Sequence, residues 1–150
     1  MSVDVLTQVV IERPRDEVAA YAADPDNATR WYQNITSVEW QTAPPLSIGS
    51  RVAFVAEFLG RRVAYVYDIA ELDPGRRLVM RTAEGPFPMQ TTYTWEDADG
   101  GGTLMSLENA GDPSGFSRLA TPFIARSMRR SNRKDLALLK RILESPPTDA

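Results

Sequence analysis

The 150-residue sequence contains no cysteine and no histidine. Without cysteine no disulfide framework exists, which suits a reducing compartment. Without histidine the chain lacks the side chain most used for proton transfer near neutral pH, which is also the commonest metal ligand. Serine–histidine and cysteine–histidine nucleophile pairs are excluded, and a zinc site has only carboxylates to draw on. No cofactor and no transition metal are expected. Long apolar runs are absent too: none approaches the roughly 20 residues of a membrane-spanning helix, so no span is expected. The opening MSVDVLTQVVIERP has neither the basic start nor the apolar block of a signal peptide, and the expected location is the cytoplasm. No Gly-rich phosphate loop occurs. The run DGGGT, Asp99 to Thr103, lacks the lysine and the following helix, and its pattern is that of a tight turn between strands.

What is present is a chain with 43% apolar residues, enough for one core without staples. The expectation is a single domain over residues 1–144, with SPPTDA (145–150) as a loose tail. VDVLTQVVIE alternates as a strand should. Pro14 then opens a short helix, PRDEVAAYAA, with acidic residues in its first turn. Asp24 is placed to cap a second short helix, PDNATRWYQN, with Pro25 at its first position. Six further strands follow: ITSVEWQT, SRVAFVAEFL, RRVAYVYDIAEL, RRLVMRTA, PMQTTYTWED and TLMSLENA. The last third is helical. Strands gathered together and helices kept apart define an α+β chain, an antiparallel sheet covered on one face by the terminal helix.

Alternation also sorts the faces. Val63, Tyr65, Tyr67 and Ile69 share the face toward the helix, as do Met89, Thr91, Tyr93 and Trp95, and Thr103, Met105, Leu107 and Asn109. Gln90, Thr92, Thr94, Glu96, Ser106 and Glu108 are assigned to solvent. In the terminal helix, Ile124, Ala125, Met128, Leu136, Leu139, Ile142 and Leu143 form one stripe, interrupted at its middle by Ser131 and Asn132. A helix that only fills a core has no use for that interruption; one that roofs a cavity does. The same segment carries eight basic residues between Arg118 and Arg141 against the single Asp135, in a chain of net charge −3. A solvated helix face is the ordinary account of such a bias, with weak contact to an anionic surface as the alternative. The acidic balance argues against nucleic acid.

The element order, together with DPDNATRWYQNITSVEW, GRRVAYVYDIAELDPGRRLVMRT, GPFPMQTTYTWEDADGGGTLMSLE and RKDLALLKRILE, resembles the polyketide cyclase and lipid-transfer group. This is the START-related, birch-pollen-allergen-like SRPBCC superfamily, and the likeness runs from about Val3 to Glu144. It implies a helix-grip fold: a curved seven-stranded antiparallel sheet gripping the C-terminal helix, two short helices after the first strand, and an apolar cavity between sheet and helix. It implies little about activity, because one fold serves many functions.

On this reading Trp31, Tyr32 and Phe87 stand at the cavity entrance. Phe54, Tyr65, Tyr67, Met80, Thr91, Tyr93 and Met105 line its walls, and Met128 and Asn132 form its roof. A satisfied core is the plainer account of any one of these residues; jointly, and with the likeness, they favour a cavity. The expected partner is a small hydrophobic ligand, a lipid, polyketide or aromatic metabolite, bound by a monomer or homodimer. The alternative is a polyketide cyclase or dehydratase, in which tyrosine hydroxyls and inward arginines orient substrate oxygens and Glu57 or Asp68 serves as base. Alternation places neither carboxylate inward.

Overall fold

In the first strand Val3, Val5 and Thr7 are buried while Asp4, Leu6 and Gln8 are exposed, the period of two that a half-buried strand requires. The computed structural model describes residues 3–58, 60–84, 88–111 and 121–145. After β1 (Val3–Ile11), Pro14 supplies an extended N-cap and α1 (Arg15–Ala23) begins, with Asp16 and Glu17 in its first turn, where the N-terminal partial charge favours anions. It buries Val18, Ala19 and Ala22. The Asp24 carboxylate accepts from the Asp26 amide at 3.0 Å and starts a single 3₁₀ turn, Pro25–Asn27, that runs into α2 (Ala28–Trp31).

The second helix is therefore shorter than the sequence pattern indicates. It stops at Trp31 because Tyr32 turns to extended backbone (φ −84°, ψ 110°), and the next amide, Gln33, donates to Asp135 instead of continuing the helix.

Strands β2 (Ile35–Trp40), β3 (Arg51–Phe58), β4 (Arg61–Asp73), β5 (Arg77–Glu84), β6 (Met89–Ala98) and β7 (Gly102–Gly111) form an antiparallel meander. Strand β1 joins the far edge beside β7, giving the order β1-β7-β6-β5-β4-β3-β2. Its register runs from Val3 opposite Gly111 to Ile11 opposite Thr103. Register shifts in β2/β3 and twice in β4/β5 are the irregularities that bend a sheet and increase its twist, and the sheet curls into a half-barrel. DGGGT is the expected tight turn, with Gly100 and Gly101 at φ +76° and +81°, values open to glycine at no steric cost.

Helix α3 (Thr121–Glu144) lies in the concave face. Its 24 residues span about 36 Å. Ile124 packs with Met128, Val3 and Val5 in one cluster; Leu136 and Leu139 join the main core with Trp31, Tyr93, Trp95, Met105 and Leu107. Each large apolar side chain so buried contributes about 1.5 to 3 kcal/mol. The C-terminal end is tied to the β1–α1 junction: Arg13 Nε donates to the Leu143 carbonyl at 2.7 Å, the Glu12 amide to Glu144 Oε2 at 2.8 Å, and Lys140 Nζ to the Val10 carbonyl at 2.8 Å. These bonds occupy a carbonyl that the helix itself leaves without a partner and place cations at its negative end.

Two side chains depart from the face assignment. Thr92, assigned to solvent, is 5% exposed. It sits opposite buried Val79 on the convex face, with Glu108 as its neighbour across β7. Asp135, grouped by sequence with the surface charges of α3, is 3% exposed. Arg126, Arg130, Arg133, Lys134 and Arg141 are exposed. Among the described residues no helix is long and apolar enough to cross a membrane.

Candidate binding site

The curl of the sheet and the interrupted stripe of α3 leave an internal cavity of about 150 Å³. Its walls come from β3 (Phe54), β4 (Tyr65, Tyr67), β5 (Met80), β6 (Thr91, Tyr93) and β7 (Asn109). Tyr32 closes one side, and Met128, Ser131, Asn132 and Asp135 form the roof. Phe54, Tyr65 and Tyr67 pack as a ring cluster with centroids 5.1–5.9 Å apart. Asp24 and Glu57, both exposed, mark where the lining reaches solvent.

Nine of the residues expected at the site line this cavity: Tyr32, Phe54, Tyr65, Tyr67, Met80, Thr91, Tyr93, Met128 and Asn132. Trp31 does not stand at an entrance. It is fully buried, with its ring 4.0 Å from Tyr32 and 5.8 Å from Tyr93, so that it backs the wall rather than forming it. Met105 is likewise wholly buried in the core and outside the lining. Phe87 lies outside the described residues. Of the two carboxylates considered as bases, Asp68 is held in a surface ion pair with Arg51 at 2.8 Å, while Glu57 edges the cavity. Among the described residues no arginine or lysine lines the cavity.

The residue that sequence reasoning missed is Asp135. It lies three positions beyond Asn132 and one before Leu136, so helical spacing puts it on the buried stripe; the run of basic residues around it masks that signal. Its Oδ1 accepts from the Gln33 amide at 3.1 Å. Burial pushes its carboxyl up to about 6, against the lowering effect of the Gln33 bond, so at neutral pH the group is predominantly a carboxylate.

Around it the phenols are held neutral. Burial drives Tyr93, Tyr32 and Tyr65 well above the usual tyrosine range, with the Asp135 charge adding to all three. Burial lifts Tyr67 to about 12. The Tyr32 and Tyr93 hydroxyls are hydrogen-bonded to each other. Tyr67 shares a 2.8 Å bond with Thr91, whose hydroxyl donates to Asn109 Oδ1 at 2.8 Å. Asn34 Nδ2 donates to Ser131 Oγ at 3.4 Å. Against these satisfied groups, Asn132 Nδ2 is buried with no hydrogen-bond partner.

A wider hollow of about 660 Å³ lies on the other flank of α1, edged by exposed Asp16, Asp24 and Asp26. The interior cavity is smaller, but unlike that hollow it brings buried tyrosines, a buried carboxylate and an unpartnered amide together.

A seven-stranded antiparallel half-barrel closed over a long C-terminal helix, with a cavity between them, defines a helix-grip protein of the START/SRPBCC kind. The chain belongs to the family described as polyketide cyclase/dehydrase and lipid transport, which matches residues 2–144. Its fold is similar to that of a START superfamily protein from Mycobacterium smegmatis (TM-score 0.81, 10% identity, 94% of this chain and 97% of that one). It is similar also to the Zhui aromatase/cyclase from Streptomyces sp. R1128 (0.80, 18%, 96% and 94%) and to ginseng major latex-like protein 151 from Panax ginseng (0.75, 12%, 96% and 99%). At these identities the likeness is one of fold. No curated protein matches the chain by sequence.

Proposed function

We propose that this protein binds a small, mainly apolar molecule in the cavity between sheet and α3. The observation that carries the reading is Asn132 Nδ2, a buried donor without a partner. Such a group costs about 1 to 3 kcal/mol in an otherwise solid core, and a ligand acceptor placed against it offsets that cost. The cavity volume of about 150 Å³ limits what enters without rearrangement. Apolar cavities of about this size accept one benzene-sized ring, whereas drug-sized ligands occupy roughly 300 to 1,000 Å³. A single-ring metabolite suits these dimensions better than a long acyl chain or a fused-ring polyketide.

A cyclase or dehydratase is the second reading, and Asp135 is what favours it, because a buried carboxyl titrating near 6 suits general acid–base work. Against it, the described lining residues include no cation to stabilise a developing enolate. Titration with 2-phenylethanol followed by amide NMR tests the binding reading. Shifts concentrated at Tyr32, Tyr65, Asn132 and Asp135 are expected, and saturating ligand with no shift at these positions refutes it. Turnover of a linear polyketide mimic would establish the enzyme reading instead.

A further inference from the structure

Resting on that binding reading, we propose that the ligand is an organic amine. It is bound as its cation, with the ammonium group against Asp135 and the apolar part among the tyrosine rings. The sign of the lining is the first ground. Among the described residues its charged members are Asp24, Glu57 and Asp135, with neither lysine nor arginine. Among the described residues a ligand carboxylate meets three acids and no base there, so fatty and aromatic acids are disfavoured by the same field that attracts a cation.

The state of Asp135 is the second ground. Among the described residues its one hydrogen bond comes from the Gln33 amide, and no basic side chain lies within ion-pair distance of it. A buried carboxylate without a counter-charge is costly, and a bound cation removes that cost. The ionisable groups facing it are the hydroxyls of Tyr32 at the end of α2, Tyr65 on β4 and Tyr93 on β6, all neutral. None of them supplies the missing positive charge. The three carboxylates do not converge into a metal cluster, so the charge sought is that of an organic ion.

The walls are the third ground. Aromatic ring faces carry negative partial charge and attract ammonium groups, more strongly where water is excluded. The Phe54, Tyr65 and Tyr67 rings sit within 6 Å of one another around the space.

Asn132 then adds a second element of selectivity. Its free Nδ2 is a donor and cannot face an ammonium, so it calls for an acceptor elsewhere on the ligand. Asn132 and Asp135 are three residues apart on one helix, with Cβ atoms about 5 to 6 Å apart. The ligand that satisfies both is an amine carrying a hydroxyl or carbonyl oxygen two or three bonds from its nitrogen.

Calorimetric titration at pH 7.5 with four probes of one size decides this: 2-amino-1-phenylethanol, 2-phenylethylamine, 2-phenylethanol and phenylacetate. The amino alcohol is expected to bind tightest. 2-Phenylethylamine should exceed 2-phenylethanol by about tenfold, the ratio that one ion pair or cation–π contact commonly supplies, and phenylacetate should not bind. Asp135→Asn should abolish the preference for the amine over the alcohol, the two then binding within about twofold of each other. In the parent protein, amine affinity should fall as the pH is lowered from 7.5 to 5, and alcohol affinity should not, a comparison that needs no variant. Equal binding of amine and alcohol, or an amine preference that survives Asp135→Asn, overturns the proposal and leaves the cavity reading standing. Binding of none of the four overturns the cavity reading, and this proposal with it.

Discussion

Replacing Asp135 by asparagine should make the protein more stable at neutral pH relative to the effect of the same replacement in acid. In the folded protein the Asp135 carboxyl titrates at about 6 instead of its ordinary 3.8, with burial as the cause. Between those values the native state holds a proton that the unfolded chain has released, so stability falls as pH rises through this window. The gap is about two pH units, and at about 1.4 kcal/mol per unit the loss comes to about 3 kcal/mol above pH 6. Asparagine keeps an oxygen for the Gln33 amide and has no charge to desolvate, so the variant escapes the loss. Urea unfolding of parent and variant from pH 4 to pH 8 provides the assay. The difference in unfolding free energy, variant minus parent, should grow by about 2 to 3 kcal/mol across the range and level off above pH 6. The new amide shifts this difference by a constant, which is why the slope and not the offset carries the test. Other groups whose titration differs on folding, among them Glu108 and Glu144, act alike in both proteins and cancel. A difference that stays flat from pH 4 to pH 8 refutes the reasoning.

Asn132→Leu removes an unpartnered buried donor and should stabilise the protein by about 1 to 3 kcal/mol, raising Tm by about 2 to 4 °C per kcal/mol for a chain of this size. A lower Tm would mean that the amide is engaged in the native state. Gly111→Ala should destabilise: a Cβ there falls 2.6 Å from the Pro88 carbonyl oxygen and 3.2 Å from Met89 Cα. Both are backbone atoms, so relief needs strand movement, at about 1 to 3 kcal/mol. Thermal unfolding measures it, and an unchanged Tm would contradict the close approach.

The architecture was legible because strands of this sheet bury one face. Val3, Val5 and Thr7, or Thr91, Tyr93 and Trp95, announce both the strand and the side it shows to the core. Periodicity reports direction and not depth, and the misplacements follow from that. Met105 points inward as expected but lies behind the cavity wall, and Trp31, expected at the entrance, lies behind the wall too, with its ring packed against Tyr32 and Tyr93. Thr92 points outward and is buried all the same, by neighbours on adjacent strands. Asp135 was obscured by composition: five exposed basic residues share its helix, and a lone acid among them looks like part of a solvated face. Only the turn at Tyr32, which brings the Gln33 amide to it, shows why an acid is tolerated inside. That turn is a tertiary feature with no local signature.

The pairing of β1 with β7 sets an order of events during synthesis. Strands β3 to β7 each pair with the strand made just before, so the meander can assemble as it emerges. Val9, by contrast, waits for Met105, and at about 5 to 20 residues per second that interval is about 5 to 20 seconds. In that time β1 has no hydrogen-bonding partner, and Val3, Val5 and Ile11 have no core to enter. Contacts so distant along the chain must overcome a loop-closure cost before they are rewarded. Helix α3 rests partly on β1, through Val3 and Val5 packed against Ile124 and Met128, so the roof can settle only after this closure. The cavity therefore exists only once β1 has closed on β7 and α3 has been made, and a ligand has no site to enter before then.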